Sequence, residues 1–136
     1  MSRNMAIEYS KKSHEKTSAV ISISDFCTDS PVLENNPDNG IIARCRVLFD
    51  DVECGEANCI TEDDARKITA FVLTHKKSVD RLVVHCEAGV SRSAGVAAAI
   101  LKALTGTDRN VFNNPKYVPN MTCYRTVLEA MQATLH

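Results

Sequence analysis

The chain has 136 residues, 44% of them apolar and 24% charged, with 16 basic side chains against 17 acidic ones and a net charge of −1. That length suits a single domain over residues 1–136, able to bury a core without disulfides or structural metal. The even charge balance excludes a nucleic-acid surface, which needs a basic excess or stripe. No apolar run reaches the roughly 18 residues of a membrane span; the longest, Gly95 to Leu104, carries Lys102. The opening MSRNMAIEYSKK has no apolar signal-peptide core, so the expectation is a cytoplasmic monomer.

In chain order, Ala6-Ile7-Glu8-Tyr9 reads as a short first strand and Ser10 to Lys16 as a polar surface helix. Ala19 to Ile23 is β-rich and reads as a strand. Residues 25–40 carry Pro31, Asn35-Asn36-Pro37 and Asn39-Gly40, which is loop chemistry, before a second strand over Ile41 to Phe49. Asp50 to Ile60 is a polar loop. Thr61 then caps a helix whose first turn holds Glu62, Asp63 and Asp64, in capping-box spacing, with Ala65, Ile68, Phe71 and Val72 as its apolar stripe. Arg81 to His85 is short and apolar, suited to a buried parallel strand. Ser93 to Leu104 is a buried helix closed by Gly106. The last helix carries Tyr124, Val127, Leu128, Met131 and Leu135, with Asn120 as its cap.

Strands alternating with helices imply an α/β fold: a central, mostly parallel sheet of four to five strands flanked by helices. Ligands of such sheets bind at the carboxyl ends of the strands. That directs attention to residues 86–92, a loop between an expected central strand and a buried helix.

Six cysteines are present: Cys27, Cys45, Cys54, Cys59, Cys86 and Cys123. A disulfide framework belongs to short secreted chains, and Cys54 and Cys59 lack both C-x-x-C spacing and a nearby histidine for zinc. Reduced thiols, no metal and no cofactor are therefore expected.

His85-Cys86-Glu87-Ala88-Gly89-Val90-Ser91-Arg92-Ser93 carries the chemistry. Phosphoryl transfer needs an ionised nucleophile, donors for three phosphoryl oxygens and a proton for the leaving group. A strand-to-helix loop turns the backbone amides of Glu87 to Arg92 into an anion nest, and the helix N-terminus adds positive charge. Gly89 permits backbone angles that other residues resist. Arg92 offers a planar fork to two phosphate oxygens. The same field draws the Cys86 thiol below its usual pKa near 8.5, and Ser93 offers its hydroxyl to the thiolate. His85 supports the loop by hydrogen bonding, and His14, His75 and His136 read as surface residues.

This segment resembles the H-C-x5-R-S signature of the protein tyrosine phosphatase superfamily. The resemblance points to the compact dual-specificity branch, especially its small bacterial-type members. Tyr117-Val118-Pro119-Asn120 and Tyr124-Arg125 extend it, so that residues 41–136 are covered well and residues 1–40 loosely. The chain has no Trp and its only Gln is Gln132; the tyrosine-specific branch's Trp-led acid loop and water-positioning glutamine are thus missing, as the dual-specificity branch would have it.

The resemblance implies a cysteinyl-phosphate intermediate, no metal, and an aspartic general acid where the preceding strand opens into a loop. Asp51 fits that position, with Asp50 as the alternative; Asp51 lies 35 residues before Cys86, which implies an enlarged 52–60 loop. It also implies a shallow pocket and, as substrate, a phosphorylated protein or small phosphomonoester. Glu87 and the uncharged Val90-Ser91 pair argue against an inositol-polyphosphate specialist. Cys54 and Cys59 read as incidental loop cysteines, with a protective disulfide to oxidised Cys86 as the other reading. Two competing functions are a non-catalytic phosphate-binding module and another C-x5-R thiol enzyme, such as a rhodanese-like sulfurtransferase, Cdc25-type phosphatase or arsenate reductase.

Overall fold

The structure, a computed structural model, describes residues 1–135. Eight elements follow one another: α1 (Arg3–Lys11), β1 (Ser18–Ser24), β2 (Ile41–Leu48), α2 (Glu62–His75), β3 (Arg81–His85), α3 (Arg92–Thr105), α4 (Arg109–Phe112) and α5 (Met121–Leu135). The strands form a parallel sheet in the order β2-β1-β3, with Ser18 to Ser22 of β1 in register with Arg81 to His85 of β3.

The α/β class holds, but the sheet has three strands among the described residues, not four to five. β1 is central and β3 lies at the edge, where a central strand was expected. The cause is the N-terminal segment. Residues 6–9 are helical instead of extended, and the helix ends at Lys11 rather than running over residues 10–16. Ser2 caps α1 by accepting the Met5 N–H at 3.1 Å, and Ala6 and Ser10, one turn apart, are the face it buries. Only Met1 joins the sheet. Its backbone nitrogen donates to the Val84 carbonyl at 2.7 Å, and its own carbonyl accepts from Cys86 N–H at 3.2 Å. That is the bonding of a single parallel bridge opposite His85.

Other expectations stand. The Thr61–Asp64 capping box forms in both directions, Gly106 ends α3 with a left-handed backbone, and Cys123 N–H donates to the Asn120 side chain at 3.0 Å. The short α4 was not anticipated; its N-cap Asp108 makes no side-chain cap, and Thr107 Oγ1 accepts from the first helical amide, Arg109 N–H, at 3.3 Å.

All seven residues of β1 are buried. Ile21 and Ile23 join Cys45 and Val47 of β2 in one core with Ile68, Val72, Val96, Ile100, Val127 and Met131 from α2, α3 and α5. The alternate positions are Val20 and three small polar residues, Ser18, Ser22 and Ser24. Ser18 meets the Tyr9 hydroxyl at 2.7 Å and Ser22 accepts from Arg44 Nε at 2.8 Å, which ties α1 and the 25–40 loop to the opposite face.

α3 and α5 meet at Gly95, where an added Cβ would stand 2.5 Å from the Asn120 carbonyl oxygen. Backbone cannot yield as a flexible side chain would. Gly95→Ala is expected to lower stability by about 1–3 kcal/mol, the usual cost of overpacking, read as a reduced denaturant midpoint with unchanged slope.

Candidate active site

β3 ends at His85, α3 begins at Arg92, and the intervening residues fold into a tight loop at the carboxyl end of the sheet. Its carbonyls are anchored outward. Glu87 O accepts from Arg3 N–H at 3.0 Å, Val90 O from Val118 N–H at 3.0 Å, and Ser91 O from Asn120 N–H at 3.0 Å. With the carbonyls so engaged, the loop's amides are free to face its centre, and Gly89 N–H points at Cys86 Sγ from 3.3 Å. Gly89 has φ +73°, and an added Cβ there would meet the Met1 carbonyl carbon at 2.5 Å. Both the backbone conformation and the packing therefore require glycine.

Cys86 is 2% exposed, and its Sγ lies 3.2 Å from the Ser93 hydroxyl oxygen. Burial pushes the thiol's pKa up. The Ser93 hydroxyl and backbone N–H, the Gly89 N–H and the Arg92 charge together outweigh it, and the net shift is downward. The other buried thiols go the opposite way: burial raises Cys45, and burial with the nearby Asp51 charge takes Cys123 to about 12. Cys86 is thus the buried cysteine whose surroundings favour the anion.

Arg92 is 5% exposed. Its Nη1 donates to Asp25 Oδ1 at 2.7 Å and to the Phe49 carbonyl at 2.8 Å, which fixes the guanidinium to the ends of both β1 and β2. Asp25 was not singled out from the sequence. Its place is legible only once β1 is known to neighbour β3, since that adjacency carries the residue after β1 to the loop after β3.

The two candidate acids separate clearly. Asp50 accepts from Phe26 N–H at 2.9 Å and from the Asn58 amide at 3.3 Å, so it staples two loops together. Asp51 is exposed and turns toward the phosphate-type loop, where its Oδ1 accepts from the Ser91 hydroxyl at 2.9 Å and the Asn120 amide at 2.8 Å. Asn120, expected only as a helix cap, also donates to Val52 O at 3.2 Å. The structure brings Cys86, Ser93, Arg92, Ser91 and Asp51 together; Glu87 and Ala88 are exposed on the loop. All six cysteines are unpaired; Cys54 is exposed and Cys59 half-buried.

His85 is fully buried with Nε2 2.6 Å from the Ser22 hydroxyl oxygen. Burial first, and the Arg44 charge second, lower its pKa to about 4, so it is neutral at physiological pH.

No protein-family model matches the chain, and no curated protein does. Solved structures match its fold. Human DUSP28, in a point variant, superposes with TM-score 0.67 at 18% identity over 99% of this chain and 89% of that one. The human tyrosine phosphatase-like serine/threonine/tyrosine-interacting protein gives 0.60 at 17% over 88% and 80%. PTPMT1 in complex with PI(5)P gives 0.56 at 15% over 88% and 79%. The fold is thus that of dual-specificity and tyrosine phosphatases.

Two outcomes follow. The alkylation rate of Cys86, mapped by mass spectrometry across pH, is expected to inflect below the ordinary thiol value near 8.5, and Ser93→Ala should move that inflection upward. His85 makes folding acid-sensitive: with its folded pKa depressed, its stability contribution is whole above about 6.5 and is lost as pH falls through about 4. Fully lost, it amounts to about 3 kcal/mol by linkage, and His85→Asn should flatten the fall in denaturation midpoint between pH 7 and 4.

Proposed function

We propose that the protein is a phosphomonoester hydrolase of the tyrosine and dual-specificity phosphatase type, using Cys86 as nucleophile. The observation that carries this reading is the convergence of the Ser93 hydroxyl and the Gly89 amide on a buried sulfur at the end of β3, surroundings that draw the thiol's pKa down.

In this reading the thiolate attacks phosphorus and the bond to the leaving oxygen breaks. The loop amides from Glu87 to Arg92 take the equatorial oxygens in a nest. Arg92 keeps Nη1 on Asp25 and Phe49 and offers Nε and Nη2 to two phosphate oxygens. A guanidinium already held in place loses little freedom on binding, which favours a tight hold on a planar, charge-shifting transition state. Asp51, in its protonated form, gives the leaving oxygen its proton. It then takes a proton from the water that attacks the cysteinyl phosphate. Ser93 donates its hydroxyl hydrogen to sulfur as the thiolate departs. Asp50 is an unsuitable acid, because its two oxygens are committed to Phe26 and Asn58. The chain takes a phosphorylated protein or small phosphomonoester as substrate, and works as a monomer without metal or cofactor.

The test is hydrolysis of p-nitrophenyl phosphate with chelator and reductant present. Wild type should turn over and Cys86→Ser should be inactive; turnover by Cys86→Ser would overturn the mechanism. Asp51→Ala should cost about 10²–10⁴-fold in kcat on a poor leaving group, with the basic limb of the pH profile lost, while Asp50→Ala should keep that limb. Asp25→Ala should raise KM and the inhibition constant of vanadate more than it lowers kcat, because it loosens Arg92 without removing it.

A further inference from the structure

Beside the loop lies a groove of about 770 Å³ that shares Asp51 and Ser91 with the site. One wall is the 52–60 loop, which exposes the Glu53 and Glu56 carboxylates; the other is formed by Val118, Pro119 and the start of α5. Arg125 is the one cation among the lining residues. Val118 is 70% exposed and Met121 39% exposed, so the far wall offers two bare apolar side chains.

The acidic wall is built rather than slack. Asn58 O accepts from Asp50 N–H at 2.7 Å, Glu56 Oε2 accepts from Glu53 N–H at 2.7 Å, and Cys54 N–H donates to Thr122 Oγ1 at 3.0 Å, which pins the loop to α5. Among the described residues no hydrogen bond or ion pair takes up the Glu53 carboxylate. Exposed Glu87 adds another carboxylate on the phosphate-type loop itself.

We infer that this groove receives the peptide flanking a phosphorylated residue, with a lysine or arginine side chain against Glu53 and an apolar one on Val118 and Met121. The inference rests on the phosphatase reading and gives it a substrate class: a phosphoprotein segment with a cationic neighbour. The phosphate is drawn to Arg92, and a substrate chain lying in this groove meets Asp51, Glu53 and Glu56, three carboxylates against the single cation Arg125. Added negative charge on that portion is repelled and positive charge is attracted, by the ordinary complementarity of rim charges. A phosphoinositide surface, anionic throughout, meets the wrong field. A prefixed wall also lowers the ordering cost of binding.

The experiment uses pairs of phosphotyrosyl peptides that differ only in an arginine or a glutamate one or two residues from the phosphotyrosine. The arginine peptide is expected to show a kcat/KM higher by roughly two- to five-fold per charge reversal, the range of exposed ion pairs, and to lose that advantage at high salt. Glu53→Lys should reverse the ratio, which is taken within one protein so that any general loss cancels. Equal peptides, an unchanged ratio in Glu53→Lys, or faster hydrolysis of a phosphatidylinositol monophosphate in anionic vesicles would overturn the inference. The same pairs are titrated onto Cys86→Ser by calorimetry. A chain that turns over neither p-nitrophenyl phosphate nor peptide defeats the reading of function, while the binding ratio still decides the charge preference.

Discussion

A sulfur buried in protein is ordinarily neutral, because removing a charge from water costs more than isolated contacts return. Here the junction of β3 and α3 works against that cost at one atom, drawing the Cys86 thiol below its ordinary value. Gly89 N–H, the Ser93 hydroxyl and N–H, and the Arg92 charge converge on Cys86, and each is delivered by the fold rather than by local flexibility. The Ser93 groups come from the first turn of α3. The Gly89 amide comes from a loop whose carbonyls are held outward by Arg3, Val118 and Asn120. Without such donors burial prevails at a thiol, as it does at Cys45 and Cys123.

The same economy governs Arg92. A guanidinium at 5% exposure needs partners, and it finds them just past the carboxyl ends of β1 and β2, in Asp25 and the Phe49 carbonyl. Asp25 itself is half-exposed, but without it the buried guanidinium keeps only the Phe49 carbonyl as a partner. The 86–92 loop is therefore registered against the ends of β1 and β2. β1 and β2 do not touch a reacting group, but they set where the positive charge stands.

How much of this was legible in the sequence depends on range. The capping box at Thr61, the glycine end at Gly106 and the loop from His85 to Ser93 are local patterns, and each appears where the residues put it. The errors fell where tertiary context decides. Ala6 to Tyr9 has the composition of a short strand, yet Ser2 caps a helix across it, so the sheet gains only the bridge at Met1 and has three strands. Asp25 looked like one more polar loop residue, because its partner stands 67 positions away. No period or motif encodes a pairing that the strand order alone creates.

The difference between Asp50 and Asp51 belongs to the same class of problem, and Asn120 is what separates their surroundings. Adjacent aspartates at a strand end are equivalent by composition and spacing. Asn120 breaks the tie from the far end of the chain: its amide binds Asp51 and the Val52 carbonyl, its Oδ1 caps α5, and its own N–H binds Ser91. One residue thereby sets the loop after β2, the 86–92 loop and α5 at fixed distances. Gly95 completes the lock, since only a hydrogen leaves room for the Asn120 carbonyl against α3. The enlarged 52–60 loop, tied to α5 through Cys54 and Thr122, extends the same frame into the groove wall. The position of Asp51 is thus set from the start of α5, through Asn120.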